Sequence, residues 1–509
     1  MSETLHGSNV AELGTVAHYD AASGEFEIHT PRPLDRKDWI GNAAHDGRLA
    51  TVFAQLSTAG EAHGVHAFLV PIRDADGTAA PGVTLEDCGE KSGLNGVDNG
   101  RIAFDRVRVP RENLLDRFAS VAPDGTYSSP IASPARRFFT MLGTLIGGRI
   151  SVAAAAVSAS KSGLAIALRY GSRRRQFGPP HGQGPATGTP AAAAAAGTDE
   201  EVILDYPAHQ RRLMPALAVT YALDFAHKRL VAGFLARGAA DDGEARQIEG
   251  LAAGLKAYAS WHAVATLQTC RECCGGQGYL VVNRLPLLQR DADIFTTFEG
   301  DNTVLMQQVA KGLLTAYREH IANMSFLSLA LYALHEAERV AADLAARLPL
   351  TGHHAGEAHL RDPEVQRALL QLREERLLGS VARRIKARLD DGATGTAAFN
   401  QVQTHLLALA HAHVERVVLE AIGDAAAGAP EDLRPTLALL RDVYALSRLE
   451  AGAAWFLETH HMDGAQAKAV RALVDRLCGE LRAQALPLVD AWAIPDACLA
   501  APIAFALSG

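Results

Sequence analysis

A carboxylate with the setting of a catalytic base stands in the run Thr296-Thr297-Phe298-Glu299-Gly300-Asp301-Asn302-Thr303. Phe298 precedes it and Gly300 follows it. The spacing then predicts a helix over 304–313, where Leu305, Val309 and Leu313 recur every four residues on one face. A carboxylate partly withdrawn from water beside an aromatic ring is a stronger base. Taking a proton from a weak carbon acid needs such a group. Alone, a glutamate in this setting also reads as part of a surface turn, so its meaning depends on the segments that accompany it.

Three other segments carry chemistry. In Lys37-Asp38-Trp39-Ile40-Gly41-Asn42-Ala43 a tryptophan can stack on a planar ring, and a glycine two residues later lets backbone come close to it. The other reading of Trp39 is a core residue. In Arg173-Arg174-Arg175-Gln176-Phe177-Gly178 the guanidinium forks match phosphate oxygens. The other reading is a set of cations that complements a helix C-terminus. In Glu272-Cys273-Cys274-Gly275-Gly276-Gln277-Gly278-Tyr279 the glycines can turn backbone amides toward a pyrophosphate or simply cap a helix. They are not a Rossmann fingerprint, because the third glycine and the preceding strand are missing.

The elements that must position these residues fall into two kinds. Residues 1 to about 115 read as short strands: Phe26, Ile28 and Thr30 alternate, and 51–56 and 65–72 are rich in β-formers. Ile102, Phe104, Val107 and Val109 follow the turn signals Asn95-Gly96 and Asn99-Gly100. From Phe138 to Phe177 the chain is alanine-rich with helical periodicity. Residues 179–200, rich in Pro, Gly and Ala, read as a flexible loop. Helices resume near Tyr206-Pro207 and dominate to about Leu488, with interruptions near Thr351-Gly352 and between Ala427 and Pro435.

A chain of 509 residues exceeds one core and predicts several domains. The net charge of −8 argues against nucleic acid as a main partner. Six cysteines form no disulfide framework. The cluster Cys270, Cys273 and Cys274 lacks the second pair that zinc requires, so no metal is expected. It reads as a reduced helix end, which fits a cytoplasmic location. No charge-free apolar run is long enough to imply a membrane span. The first residues do not form a signal peptide, and Leu507-Ser508-Gly509 is not a Ser-Lys-Leu peroxisomal address.

Taken together and in order, these segments resemble the acyl-CoA dehydrogenase and oxidase superfamily, most closely the acyl-CoA oxidases. The resemblance rests on Trp39-Ile40-Gly41-Asn42-Ala43, Gly93-Leu94-Asn95-Gly96-Val97-Asp98-Asn99-Gly100-Arg101-Ile102, Asp205-Tyr206-Pro207-Ala208-His209-Gln210, the Cys273 to Tyr279 turn and the Phe298 to Thr303 segment. It is dense over 1 to about 315 and looser over 316–509. It implies an α+β fold, mostly α. A small antiparallel β-barrel or sandwich (1–125) would precede two helical-bundle domains, 126–320 and an acyl-CoA oxidase-like 321–509.

The same resemblance implies a FAD enzyme of fatty-acid β-oxidation that turns acyl-CoA into trans-2-enoyl-CoA, with O2 as acceptor and H2O2 as product. Glu299 matches the base that removes the α-proton, with the thioester carbonyl polarised by hydrogen bonds. Ser2, Trp39, Gly41, Arg174, Phe177, Gly275, Gly276 and Asp301 match cofactor-binding positions, and Ser8 a substrate-binding one. Arg174, Phe177, Gly275 and Gly276 match segments that reach the FAD of a neighbouring subunit, which implies a homodimer. Gly41 stands where dehydrogenases tend to place Thr or Ser, and a glycine leaves room for O2. The alternative is an acyl-CoA dehydrogenase that passes electrons to an electron-transfer flavoprotein.

Two departures stand out. Relatives have Thr where Ser2 stands and Gly where Leu5 stands, which puts the local turn in question. The motif that opens this chain normally follows a helical domain, so the chain is expected to lack that domain. On that expectation it would be a truncated enzyme, or an inactive helper subunit.

Overall fold

Alternation of apolar side chains builds the first part of the molecule. In a computed structural model, which describes residues 1–178, 200–236, 242–322 and 356–505, the chain divides into Met1–Gly147 and Gly148–Gly509. The predicted loop at 179–200 and the interruption near Thr351-Gly352 lie outside the described residues, except for Glu200.

In the first unit β1 (Val16–Asp20), β2 (Glu25–His29), β3 (Lys37–Gly41), β4 (Leu49–Thr58), β5 (Glu61–Pro71), β6 (Val83–Asp87), β7 (Asn99–Phe104) and β8 (Val107–Pro110) form two sheets. One has the order β5-β4-β1-β2-β8, the other β3-β7-β6. Every second residue of β2 and β4 is buried, and Phe26 and Ile28 are fully so. Both sheets contribute to one core around Phe26, Phe68, Ile102 and Phe104. The two sheets do not join into a closed ring, so the β unit is a sandwich of two sheets and not a closed barrel. The pairing is antiparallel as expected, except between β1 and β4, which run parallel. Asn99-Gly100, read from sequence as a turn, opens β7.

The chain start is tied to β3. Asp38 N–H donates to the Ser2 carbonyl (3.0 Å) and Thr4 N–H to the Arg36 carbonyl (3.2 Å). Beneath this pairing the buried Glu3 carboxylate accepts from the Lys37 ammonium (2.8 Å) and the Thr15 hydroxyl (2.6 Å). Lys37 also donates to the Phe53 carbonyl (2.6 Å). After β8 and two short strand pieces, β9 (Ser120–Val121) and β10 (Tyr127–Ser128), comes α1 (Pro134–Leu142). It is capped by Ser133 and docked by Arg137, which donates to the His63 carbonyl (2.6 Å).

The second unit is helical. Its first half contains α2 (Ile146–Gly171), α3 (Pro207–Ala236), α4 (Asp242–Cys273), the one-turn α5 (Gly275–Tyr279), α6 (Leu285–Asp293) and α7 (Asn302–Ala322). Two-residue strands β11 (Arg175–Gln176) and β12 (Glu201–Val202) pair antiparallel between α2 and α3. The later half contains α8 (Glu357–Leu360), α9 (Pro363–Asp390), α10 (Gly395–Asn400), α11 (Gln403–Gly428), α12 (Arg434–Ala451), α13 (Ala453–Glu458), α14 (Gly464–Arg482), α15 (Ala485–Asp490) and α16 (Asp496–Leu499).

α4 packs on α3, α6 and α7, while α11 packs on α3, α7, α9 and α12. Buried polar contacts join the two halves. Arg448 donates to the Tyr258 hydroxyl (3.3 Å) and Tyr221 to the Leu488 carbonyl (2.6 Å), while within the later half Tyr444 donates to the Glu415 carbonyl (2.9 Å). By length and hydropathy α2 would suffice to cross a membrane. However, 56% of its most apolar stretch is buried inside the protein, as in a core helix.

Candidate active site

The site residues gather in three places, each built by a different local device. The first is a bulge in β3. The register between β3 and β7 shifts between Lys37 and Ile40, and Trp39 has a left-handed backbone (φ 64°). Bulges turn side chains away from their regular face. Trp39 is 58% exposed as a result, so its indole is not a core residue. The bulge is held by Asp38, whose carboxylate accepts from the Trp39 N–H (3.0 Å), Arg101 Nε (3.2 Å) and the Thr4 hydroxyl (3.1 Å).

Ser2 lies beside this bulge through its carbonyl bond to Asp38. Gly41 ends β3 with open space where a Cβ would stand. Neither packing nor a positive φ requires a glycine there. Leu5 donates its N–H to the Leu34 carbonyl (3.0 Å) without a positive φ, so the turn tolerates it. The left-handed residue is Gly7 (φ 41°), and the exposed Ser8 follows it. Glu3, His6 and Asp35 place possible ligand atoms within 4.8 Å of one another. The Glu3 carboxylate is engaged by Lys37 and Thr15, and that of Asp35 by Arg32.

The second place is the end of α2. The three arginines after it have different fates. Arg173 donates to the carbonyls of Ile503 and Phe505 (2.9 Å each). Arg175 donates to the Glu200 carbonyl (2.8 Å). Arg174 is exposed, and its guanidinium has no hydrogen-bond or ion-pair partner among the described residues. Its backbone is nevertheless fixed, because its carbonyl accepts from Ile203 N–H (2.8 Å). Phe177 (φ 57°) is pinned likewise by Glu201 N–H (2.8 Å), and its ring is 78% exposed.

Tyr170 lies within electrostatic reach of both Arg174 and Cys274; burial raises its phenol above the usual range, and Arg174 opposes this. The Cys274 neighbourhood thus belongs to the same end of the bundle. There α4 stops at Cys273 and Gly275 takes φ 56°. A Cβ at Gly278 would stand 2.0 Å from the Arg271 carbonyl oxygen, so packing demands that glycine. At Gly275 and Gly276 a Cβ would meet nothing within 4 Å, leaving an open backbone surface. The cysteines here are free and buried, and burial raises the Cys273 thiol to about 11.

The third place is the turn between α6 and α7. Phe298 stacks on Phe295 (5.6 Å between ring centres) and is 37% exposed. Glu299 (φ 53°) and Gly300 (φ 100°) are both left-handed, a costly pair for a non-glycine residue followed by a glycine. The Glu299 carboxylate is exposed and accepts no hydrogen bond from the described residues. It lies over α2 at Gly148, where a Cβ would be 2.5 Å from Glu299 Oε2. Asp301 caps α7, accepting from the N–H of Thr303 (2.9 Å) and Val304 (3.2 Å). Leu305 and Val309 of α7 are buried as predicted and Leu313 half-buried.

Two cations that sequence reasoning missed flank this turn. Lys256, in the middle of α4, is fully buried and donates to the Gly300 carbonyl (2.6 Å) and Asn302 Oδ1 (3.0 Å). Burial lowers its ammonium to about 8, opposed by the carboxylates of Asp301 and Glu299. Arg149, next to Gly148, is also buried; its nearest carboxylate is Glu249 at 3.7 Å, and it senses the charge of Glu299. A lysine in the otherwise apolar run Leu255-Lys256-Ala257 was the available signal for the first. The pair Gly147-Gly148 inside a helical pattern was the signal for the slot under Glu299.

Comparison with known proteins bears on all three places. Residues 1–107 match the acyl-CoA dehydrogenase middle domain, 142–314 the acyl-CoA oxidase C-alpha1 domain and 362–506 the acyl-CoA oxidase family. The chain is 41% identical over 513 residues to acyl-coenzyme A oxidase 2, peroxisomal, of Arabidopsis thaliana, covering 99% of this chain and 71% of that one. It is 37% identical over 532 residues to peroxisomal acyl-coenzyme A oxidase 3 of Homo sapiens, with the same coverage.

Among solved structures, acyl-CoA oxidase 1 of Yarrowia lipolytica superimposes with a TM-score of 0.86 at 29% identity, covering 99% of this chain and 72% of that one. Acyl-CoA oxidase-2 of Caenorhabditis elegans, bound with FAD, ascaroside-CoA and ATP, gives 0.81 at 25% identity, covering 99% and 71%. The fold, the order of the segments and this identity along nearly the whole chain make it a member of the acyl-CoA oxidase family.

Proposed function

We propose that this chain oxidises acyl-CoA to trans-2-enoyl-CoA with FAD as cofactor and O2 as acceptor, giving H2O2. The observation that carries the reading is Glu299, a carboxylate held on a constrained turn, open to solvent and accepting no hydrogen bond among the described residues. Such a group is free to take a proton from a substrate carbon.

The residues suit a flavin dinucleotide. The exposed rings of Trp39 and Phe177 offer stacking surfaces, the exposed Arg174 suits a phosphate, and the open backbone at Gly275 and Gly276 admits close approach. Ser2 would bond the flavin edge, and Ser8 would meet the substrate. Asp301 would act near the cofactor while its carboxylate starts α7. When bound, FAD supplies the acceptor for the β-hydrogen and its electron pair. Glu299 takes the α-proton, and the carbon–carbon double bond forms between the two positions. In domain terms, 1–125 would serve flavin and acyl-CoA, 126–320 would bring the base, and 321–509 would be the oxidase-like addition.

Arg174, Phe177, Gly275 and Gly276 would reach the FAD of a second copy, so the enzyme would be a homodimer. As to location, relatives are named peroxisomal, and the cytoplasmic reading of this chain belongs to the proposal; a fluorescent fusion confined to peroxisomes would refute it.

Glu299→Gln keeps the shape of the base and removes its proton affinity. It should leave FAD bound and slow flavin bleaching by acyl-CoA about 10²–10⁴-fold. Near-normal bleaching would remove Glu299 from the mechanism.

Gly41→Thr enters open space, so the fold should be indifferent to it. In stopped-flow, the variant should react with O2 more slowly while its reduction by acyl-CoA changes less. The alternative, a dehydrogenase, would instead show slow O2 reaction in the parent and fast transfer to an electron-transfer flavoprotein.

Arg174→Ala removes a side chain that has no hydrogen-bond or ion-pair partner among the described residues. Stability should hold, while FAD retention weakens by about 1.5–3 kcal/mol, the worth of a charge-assisted contact. Light scattering should report a dimer. A monomer that holds one FAD per chain would contradict the shared site.

A further inference from the structure

A buried ammonium is retained only where its hydrogen bonds replace water. Lys256 is fully buried in the middle of α4, with apolar Leu255 and Ala257 on either side. Its two acceptors both lie just past the base. One is the carbonyl of Gly300, the residue that follows Glu299 (2.6 Å), and the other is Oδ1 of Asn302 (3.0 Å). Asn302 is itself buried and oriented from α4, donating Nδ2 to the Ser260 hydroxyl (2.9 Å) and to the Ala257 carbonyl (3.2 Å). Ser260 donates back to the Lys256 carbonyl (2.8 Å). One turn of α4 therefore grips both ends of the Gly300-Asp301-Asn302 segment. The left-handed backbone at Glu299 and Gly300 is a conformation that an unheld segment would relax.

We propose that Lys256 is a positioning residue for proton abstraction: by holding the Gly300 carbonyl and the Asn302 side chain it fixes the turn that aims the Glu299 carboxylate. The proposal rests on the reading of Glu299 as the base. A lysine that merely stabilised the bundle would affect every property of the enzyme together. A positioning lysine affects the step that uses the Glu299 carboxylate and spares the step that uses O2.

The test is made on the FAD-loaded enzyme with a straight-chain saturated acyl-CoA that bleaches the parent. Lys256→Met keeps the length of the side chain and removes its donors. At saturating substrate its flavin reduction should fall about 10–100-fold, the scale of a misplacement near 1 Å. Reoxidation by O2 and the acyl-CoA concentration for half-saturation should stay within about twofold of the parent. Amide hydrogen exchange in the peptide covering 296–304 should accelerate. Equal reduction rates, or reduction and reoxidation falling together, would overturn the proposal.

Should Lys256→Met fail to hold FAD, Ser260→Ala decides, since it loosens Asn302 and leaves Lys256 in place. It should slow reduction about threefold without touching reoxidation, and an unchanged rate would overturn the proposal. A parent enzyme that acyl-CoA does not bleach would refute the acyl-CoA reading and this inference with it. Bleaching of parent and variants alike would refute only the inference.

Discussion

The ammonium of Lys256 is buried, and that constraint organises the turn that carries Glu299. Transfer of a charge into a protein interior is unfavourable unless hydrogen bonds replace its solvent. The bonds available to Lys256 are the Gly300 carbonyl and Asn302 Oδ1. Meeting them bends the chain through two left-handed residues, one of which is Glu299. It also places Asp301 where its carboxylate starts α7, the helix that carries Leu305 and Val309 into the core. Helix start, turn and exposed carboxylate thus follow from one buried charge.

The β unit uses the same physics. Lys37 is buried, and burial lowers its ammonium while Glu3 opposes the shift. Its partners Glu3 and the Phe53 carbonyl tie the chain start to β3 and β4. For Glu3 burial works in the opposite direction, yet the bonds from Lys37 and Thr15 keep its carboxyl below the usual range. Next to this pair β3 bulges and Trp39 turns outward. In each unit a buried lysine stabilises an irregular segment whose neighbouring side chain, Glu299 or Trp39, is exposed. Rigid support under exposed functional groups is what a preorganised site requires.

Much of this was legible in the sequence where the cause is local. Alternation exposed β2, the β-rich runs 51–56 and 65–72 exposed β4 and β5, and the four-residue repeat exposed α7. Features set by distant partners were not legible. Trp39 taken alone read more readily as core, because its exposure depends on how β3 pairs with β7. The three arginines looked alike, because what distinguishes Arg173 is a pair of carbonyls more than 300 residues away, while Arg174 has no partner among the described residues. Asn99-Gly100 has the composition of a turn but lies in a strand. A Cβ at Gly100 would strike the backbone at Ala43 and Ala44, so the glycine there serves close approach. The parallel pairing of β1 with β4 has no signature in either strand, and Lys256 had only its apolar neighbours to betray it.

On the proposed reading, flavin reduction depends on where the Glu299 carboxylate rests. Gly148→Ala tests this with the least disturbance. Alanine favours a helix over glycine by about 0.8–1.0 kcal/mol, so the fold should be no less stable. Its Cβ would stand 2.5 Å from Glu299 Oε2, so the flexible carboxylate must move aside. The measurement is the rate of flavin reduction by saturating acyl-CoA in the FAD-loaded variant, with its thermal midpoint. The midpoint should be unchanged or higher and the rate lowered about 10²-fold. A variant that reduces its flavin as fast as the parent would show that the position of Glu299 over Gly148 does not govern the reaction.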